Sequence, residues 1–334
     1  MDGARSVVPA RGAPPYVVGV DVGGSKIVSG LVGPEDGIAH RHRRDVPASR
    51  IPAEVIEAIA ESIEAVRRLA PRPPVAVGVG IAGQVERGSG RVLHAPNLRW
   101  KNVPFRSVLA ERVGLPVVAG NDVRTITLGE WQFGAGRGCA NLLCVFIGTG
   151  VGGGVVADGR LLEGAIGAAG ELGHVTLVAD GRACHCPNRG CLEAYVGGWA
   201  IEERVNEEAR ADPVAARALY DLAGGPGHHL LPISVERAAR QGDPFSVRFI
   251  ERLAEEFASG LVGLVNAFNP ERVVVGGKIA EGFPELVHSA RRAVLARCQP
   301  PVANAEVVPS SLGADAGILG AALMARTVSP VGSV

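Results

Sequence analysis

Three cysteines fall within eight residues of the stretch 173–193, GHVTLVADGRACHCPNRGCLE, and a histidine precedes them. The spacing is H-x9-C-x-C-x4-C, at His174, Cys184, Cys186 and Cys191. Three thiolates and one imidazole complete a tetrahedral Zn²⁺ site and leave no open position for a metal-bound water. Such an ion braces the chain and does no chemistry itself. The spacing is not that of a C2H2 finger, and no basic stripe with interleaved aromatics lies nearby, which argues against a nucleic-acid knuckle. His185 is a competing ligand, but His174 is expected to lead a strand that holds it still. With one ring nitrogen on zinc, the other is free to donate to a substrate hydroxyl. Glu171 and Glu193 flank the loop. Carboxylates accept paired sugar hydroxyls well, and they serve equally well as solvated surface acids.

A third carboxylate stands in the stretch GND, 120–122. It lies between a strand pattern and a helical one, where an acid is a favoured cap. Asp122 is also a candidate general base. A sugar hydroxyl becomes a good nucleophile as its proton is accepted, an effect of roughly 10²–10⁴ in rate. Asn121 beside it can hold a neighbouring hydroxyl. DVGGSK, 21–26, sets an acid, two glycines, a hydroxyl and an ammonium at a strand–turn–strand. Gly23 and Gly24 let backbone N–H groups approach phosphate oxygens, Ser25 and Lys26 add donors, and Asp21 can hold Mg²⁺ through water. The Walker pattern is absent. GTGVGGG, 148–154, is a second such turn, with Gly148, Thr149, Gly150 and Gly152. The strand-like VVADG after it excludes a dinucleotide fingerprint, which needs a helix there. VVVGGK, 273–278, is a third, whose Gly276 and Gly277 can let an adenine ring lie on the backbone. Each turn also fits plain punctuation between elements. The chain has few lysines against many arginines, and two of them, Lys26 and Lys278, lie in these turns.

The elements that position these residues follow from periodicity. The valine-rich run 16–22 and the segments 26–32 and 38–46 read as strands, 51–70 as a helix with Pro52 near its start, and 75–83 as a buried strand. A helix at 106–113, a strand at 115–120 and a helix at 123–133 follow. The second half repeats the opening: strand, glycine turn, strand from about 140. Helices are expected at 198–210, 212–223, 234–241, 244–268, 283–297 and 314–326, with a strand at 272–275. Alternating strands and helices imply an α/β fold with largely buried strands. Two halves built alike would aim both glycine turns at one ligand across a cleft.

The 334 residues suggest about two domains. With 47% hydrophobic and 20% charged residues the chain can bury a core, and disorder is excluded. Acids and bases cancel at 34 each, so no basic field holds nucleic acid. The apolar runs are strand-sized, too short to span a bilayer. The first fifteen residues lack an apolar stretch and read as a lead-in, not a signal peptide. Six cysteines in a chain this long are no disulfide framework. Cys139, Cys144 and Cys298 read as buried thiols, and a cytoplasmic setting is inferred.

In their order, DVGGSK, GIAGQVERGSGRVLHAPNLRW, GND, GTGVGGG, GELGH and CHCPNRGCLE make the chain resemble the ROK family (repressor, open reading frame, kinase) over about 16–326. The resemblance implies an actin-like ATPase (ribonuclease H-like) fold with two lobes around a central cleft: a small lobe at 16–120, a large lobe at 121–326 carrying the zinc loop 174–191, and a tail at 327–334. It implies that 19–26 and 147–154 hold the ATP phosphates, that 275–278 flanks adenosine, and that Asp122 is the base. Gly83, Asn97, Asn121, Glu171, His174 and Glu193 match sugar-binding positions, and His174, Cys184, Cys186 and Cys191 match zinc ligands. The implied activity is Mg²⁺- and ATP-dependent phosphorylation of a hexose at the 6-hydroxyl. Glucose is the first choice, with N-acetylglucosamine or N-acetylmannosamine as alternatives. A non-catalytic, sugar-responsive regulator is the third reading; sugar-responsive repressors of the family carry an added DNA-binding module, for which fifteen lead-in residues are too few. A homodimer or dimer of dimers is implied by resemblance only. Three departures stand out: Pro187 after the second cysteine, Lys278 in place of a third glycine, and Arg124 where small residues and a second Asn are common.

Overall fold

The computed structural model describes residues 15–328. The expected lead-in and tail fall almost wholly outside them. The first sheet starts with β1 (Val17–Val22), β2 (Lys26–Val32) and β3 (Ile38–Asp45), followed by α1 (Pro52–Arg67) and β4 (Val77–Ile81). Three short strands, β5 (Gln84–Val85), β6 (Val92–Ala95) and β7 (Trp100–Val103), then form a sheet of their own. The lobe continues with α2 (Phe105–Val113) and β8 (Val117–Asn121), and α3 (Asp122–Phe133) leads out of it. The second sheet opens with β9 (Leu142–Ile147), β10 (Val151–Ala157) and β11 (Arg160–Leu161). Beyond the cysteine loop come α4 (Glu193–Val196), α5 (Gly198–Ala211), α6 (Arg217–Ala223), α7 (Pro232–Arg240) and α8 (Pro244–Phe268). The chain closes with β12 (Arg272–Gly276), α9 (Lys278–Gly282), α10 (Glu285–Arg297), β13 (Glu306–Pro309) and α11 (Asp315–Thr327).

The two large sheets have one design. Their strand orders are β3-β2-β1-β4-β8 and β11-β10-β9-β12-β13. In each, the opening hairpin is antiparallel and the next two strands add in parallel. Buried strands with helices against them require near-continuous apolar sequence, and β9 is buried at every residue. The first core packs Val55, Ile59, Ile63 and Val66 of α1 under β1 and β4. The second is built on α8, whose Phe249, Leu253, Phe257 and Leu261 are almost wholly buried. Asp243 caps that helix by accepting from the Ser246 N–H at 2.9 Å.

The C-terminal helix α11 returns to the first sheet. Gly19 on β1 and Gly78 on β4 admit its backbone: a Cβ at either would collide with the Ile318 or Ala321 carbonyl. Gly317 on α11 sits against Asp21 in the same way, with a Cβ there 3.0 Å from the Asp21 Cγ. Among the described residues no helix is long and apolar enough to cross a membrane.

The sequence reading lacks α4, α9 and β13, and it differs from the structure in four further places. The β5–β7 sheet was not expected; its strands are two to four residues long and too short to show alternation. The buried strand expected at 75–83 is β4, Val77–Ile81. The helix expected over 212–223 starts only at Arg217, because the Asp212 side chain accepts from the Ala215 N–H at 3.0 Å and turns the chain first. His174 does not lead a strand: it ends a 3-10 turn, Leu172–His174, which lies so tightly on β10 that a Cβ at Gly173 would press on Val151.

Candidate active site

Asp122 is the first residue of α3, and it does not cap the helix. Asn121 does, accepting from the Arg124 N–H through Oδ1 at 3.0 Å. The Asn121 amide donates from Nδ2 to the Gly83 carbonyl at 3.1 Å and to Asp122 Oδ1 at 2.9 Å. Capping by the neighbour leaves the Asp122 carboxylate for other work. Burial is the main cause that raises its pKa to about 6; the Glu171 charge raises it further, against the N–H groups of Val123 and Asp122 itself. Asp21, at the end of β1 opposite Gly80 of β4, is raised to about 7, first by burial and then by the Asp122 charge. Asp21, Asp122 and Glu171 therefore share one field, although they come from β1, the start of α3 and the loop before the 3-10 turn. Arg124 joins them. It is 8% exposed, its Nη1 has no hydrogen-bond partner, and burial lowers its pKa against the nearby Glu171, Glu163 and Asp122 charges.

The two glycine turns close the hairpins β1–β2 and β9–β10. Gly23 N–H donates to Lys26 O at 2.9 Å, and Gly148 N–H to Gly150 O at 2.9 Å. A Cβ at Gly148 would meet nothing within 4 Å, and one at Gly23 only the Lys26 carbonyl oxygen at 3.8 Å. Both turns thus keep open space that a side chain would fill. Asn97 lies against the first, 3.1 Å from where a Gly24 Cβ would stand. Gly277 must be glycine: its φ is +90°, and a Cβ would collide with the Ile147 carbonyl. Gly276 packs against Phe146 and Ser310. The third turn is thereby joined to the strand end that enters the second. Lys278 is exposed and opens α9, a place any residue can take.

Glu193 ties the second turn to the cysteine loop. Its Oε2 accepts from the Val151 N–H at 2.8 Å, and its Oε1 from Trp199 Nε1 at 3.1 Å. The start of α5 rests on the same turn, with Gly198 N–H on Gly148 O and Trp199 N–H on Thr149 O, each 3.0 Å. Trp199 was missed in the sequence, where nothing marks a tryptophan six residues after an acid as its partner. His185, the competing zinc ligand, is instead stacked on Trp199, with centroids 3.8 Å apart.

The ligand atoms of His174, Cys184, Cys186 and Cys191 lie within 4.8 Å of one another. Two edges of the cluster are measured directly: Cys184 Sγ to His174 Nδ1 is 3.7 Å, and Cys186 Sγ to Cys191 Sγ is 3.6 Å. Zinc–sulfur bonds of about 2.3 Å in a tetrahedron put ligand atoms about 3.7 Å apart, so the set fits zinc. Backbone Asn188 N–H and its side chain donate to Cys186 and Cys191 at 3.4 and 3.5 Å, as suits thiolates. Pro187 leaves all four ligands together. His174 turns Nδ1 to the thiols, which leaves Nε2 free.

A loop at 162–171 crosses to the β5–β6 hairpin. Arg87 N–H donates to Ile166 O at 3.2 Å, and the Arg87 guanidinium pairs with Glu163 at 2.8 Å. The loop that carries Glu163 and leads to Glu171 is thus tied to the β5–β7 sheet.

Two sheets of one topology, a glycine turn on each and a Cys3His cluster beside them agree with the comparisons. The ROK family model matches residues 17–328. The chain belongs to the ROK family. It is 39% identical to a glucokinase of Thermotoga maritima over 92% of this chain and 96% of that one. It is 37% identical to a glucokinase of Streptomyces coelicolor over 94% and 98%. A ROK family glucokinase from Streptomyces griseus, solved with glucose and AMPPNP, superposes with a TM-score of 0.81 at 34% identity, covering 93% of this chain and 99% of that one. The fold is that of the actin-like ATPases, and the two-lobed expectation holds.

Proposed function

We propose that this ROK protein is a glucokinase: it transfers the γ-phosphoryl group of ATP to the 6-hydroxyl of glucose, with Asp122 as general base. Asp122 carries the reading. Its carboxylate is half-buried, excused from capping by Asn121, and poised near neutrality at about 6. As the O6–phosphorus bond forms, Asp122 takes the hydroxyl proton, the bond to the β-phosphate oxygen breaks, and ADP leaves. Glu171 and His174 Nε2 suit paired equatorial hydroxyls, and Gly83, Asn97, Asn121 and Glu193 are assigned to the same sugar site.

The open fronts of Gly23 and Gly148 take the triphosphate, with Ser25, Lys26, Thr149, Gly150 and Gly152 around them, and Gly276 and Gly277 take adenosine. Asp21 fits Mg²⁺: a half-buried carboxylate whose proton is held to about 7 beside another acid is relieved by a divalent cation. When bound, Mg²⁺ offsets phosphate charge. Zinc on His174, Cys184, Cys186 and Cys191 holds the 3-10 turn and its ring still. A coupled assay across glucose, mannose, N-acetylglucosamine and N-acetylmannosamine, with ATP or polyphosphate, tests this. Glucose with ATP is expected to give the highest kcat/KM. Turnover of an N-acylated hexosamine above glucose would overturn the sugar, and binding without turnover would overturn the enzyme.

A further inference from the structure

Arg50 belongs to none of the glycine turns, yet it is built onto one of them. The segment between β3 and α1 runs along the β1–β2 turn. Val46 N–H donates to Ser25 O at 2.9 Å, and the Arg50 guanidinium donates to Gly24 O. One segment thus grips two successive carbonyls. A trans peptide points its C=O and the following N–H in opposite directions. Holding Gly24 O on the Arg50 side turns the Ser25 N–H to the far side, and holding Ser25 O does the same for Lys26. Among the described residues, the N–H groups of Gly24 and Ser25 meet no acceptor.

Arg50 is itself held in an unfavourable backbone. Its φ is 59°. Among the described residues seven non-glycine residues have positive φ; five are Asp or Asn, which tolerate the region, and Arg50 and Arg99 are the exceptions. Two bonds fix it there: Trp100, 2% exposed on β7, donates Nε1 to Arg50 O at 2.8 Å, and Arg50 N–H donates to Pro47 O at 3.1 Å. Such strain persists where the surroundings over-determine it. Among the described residues Arg50 is in none of the ion pairs, so the fold does not keep its charge to hold an acid.

We infer that Arg50 is a positioning residue for the phosphate donor: it locks the β1–β2 turn with the Ser25 and Lys26 N–H groups facing the triphosphate, and sets a fixed positive charge behind them. This rests on the reading of that turn as a phosphate site. Arg50→Gly is the sharpest variant, since glycine accepts φ 59° without steric cost while the guanidinium is lost. Binding of Mg²⁺–AMPPNP is measured by calorimetry, with KM for ATP and for glucose alongside. Arg50→Gly is expected to weaken AMPPNP binding about tenfold and raise KM for ATP in step, with KM for glucose within about twofold. Arg50→Lys, which keeps one donor and the charge, is expected to recover part of the loss. Equal AMPPNP affinity in Arg50→Gly and wild type would overturn the inference alone, as would an equal rise in both KM values. A wild type that binds no AMPPNP would overturn the phosphate reading itself.

Discussion

Replacing Asp122 by Asn separates the charge of that side chain from its shape. The amide oxygen can still accept from Asn121 Nδ2, which donates at 2.9 Å in the wild type, so the start of α3 is expected to stay in place. Loss of the base costs roughly 10²–10⁴ in kcat, or about 3–5 kcal/mol of barrier. Stability moves the other way. Asp122 titrates at about 6 in the fold against 3.8 for the free side chain, with burial the largest cause. A group whose folded pKa is raised supports the fold fully below its unfolded pKa, and that support is lost as pH rises through the folded value. A shift of about two units corresponds to roughly 3 kcal/mol. The Asn variant never pays this, so its Tm advantage over wild type is expected to open between about pH 4 and 7 and stay level above. Asp21 adds to the gain, because the Asp122 charge helps to hold it at about 7. The assays are steady-state kinetics at pH 8 and thermal melts across the pH range. A kcat near wild type would refute the base, and a Tm difference that does not grow with pH would refute its burial.

Cys184→Ser removes one of the four clustered ligands; zinc per chain is expected to fall from one toward none, with a lower Tm and weaker glucose binding, all read by metal analysis and calorimetry. Unchanged sugar affinity in the metal-free variant would contradict the brace. Trp199→Phe keeps the stack on His185 but deletes the donor to Glu193 Oε1. It is expected to raise KM for glucose about tenfold, consistent with roughly 1.5 kcal/mol for one charge-assisted bond. Arg124→Met removes a buried guanidinium whose Nη1 has no partner. A gain of roughly 1–3 kcal/mol, seen as a Tm rise of a few degrees, is expected; a fall would show that the guanidinium is paired in solution.

Much of this was legible because the informative residues are local. A glycine turn between two valine-rich strands announces its hairpin, and the cysteine spacing announces its cluster. The unread parts are those fixed by residues distant in sequence. Arg50 reaches a turn 26 positions before it, and nothing in its own neighbourhood says so. Whether Asp122 or Asn121 caps α3 depends on one hydrogen bond to the Arg124 N–H, which either residue could have accepted. The 3-10 turn at His174 depends on the close approach of Gly173 to Val151, where the pattern alone suggested a strand.

On the proposed reading the duplication explains why one site needs both halves. Two sheets with the same strand order each end their opening hairpin in a bare turn, and these turns would be symmetric grips for a phosphate chain. Symmetry does not place side chains beside the two turns, and these come from the insertions. The β5–β7 sheet carries Asn97 to the first turn and Trp100 to Arg50 beside it. The cysteine loop and α5 carry Glu193 to the second. Asp122 stands at the junction, on the helix that leaves the first sheet for the second. Its carboxylate is half-buried, and on the proposed reading further hydration would lower its pKa and weaken it as a base.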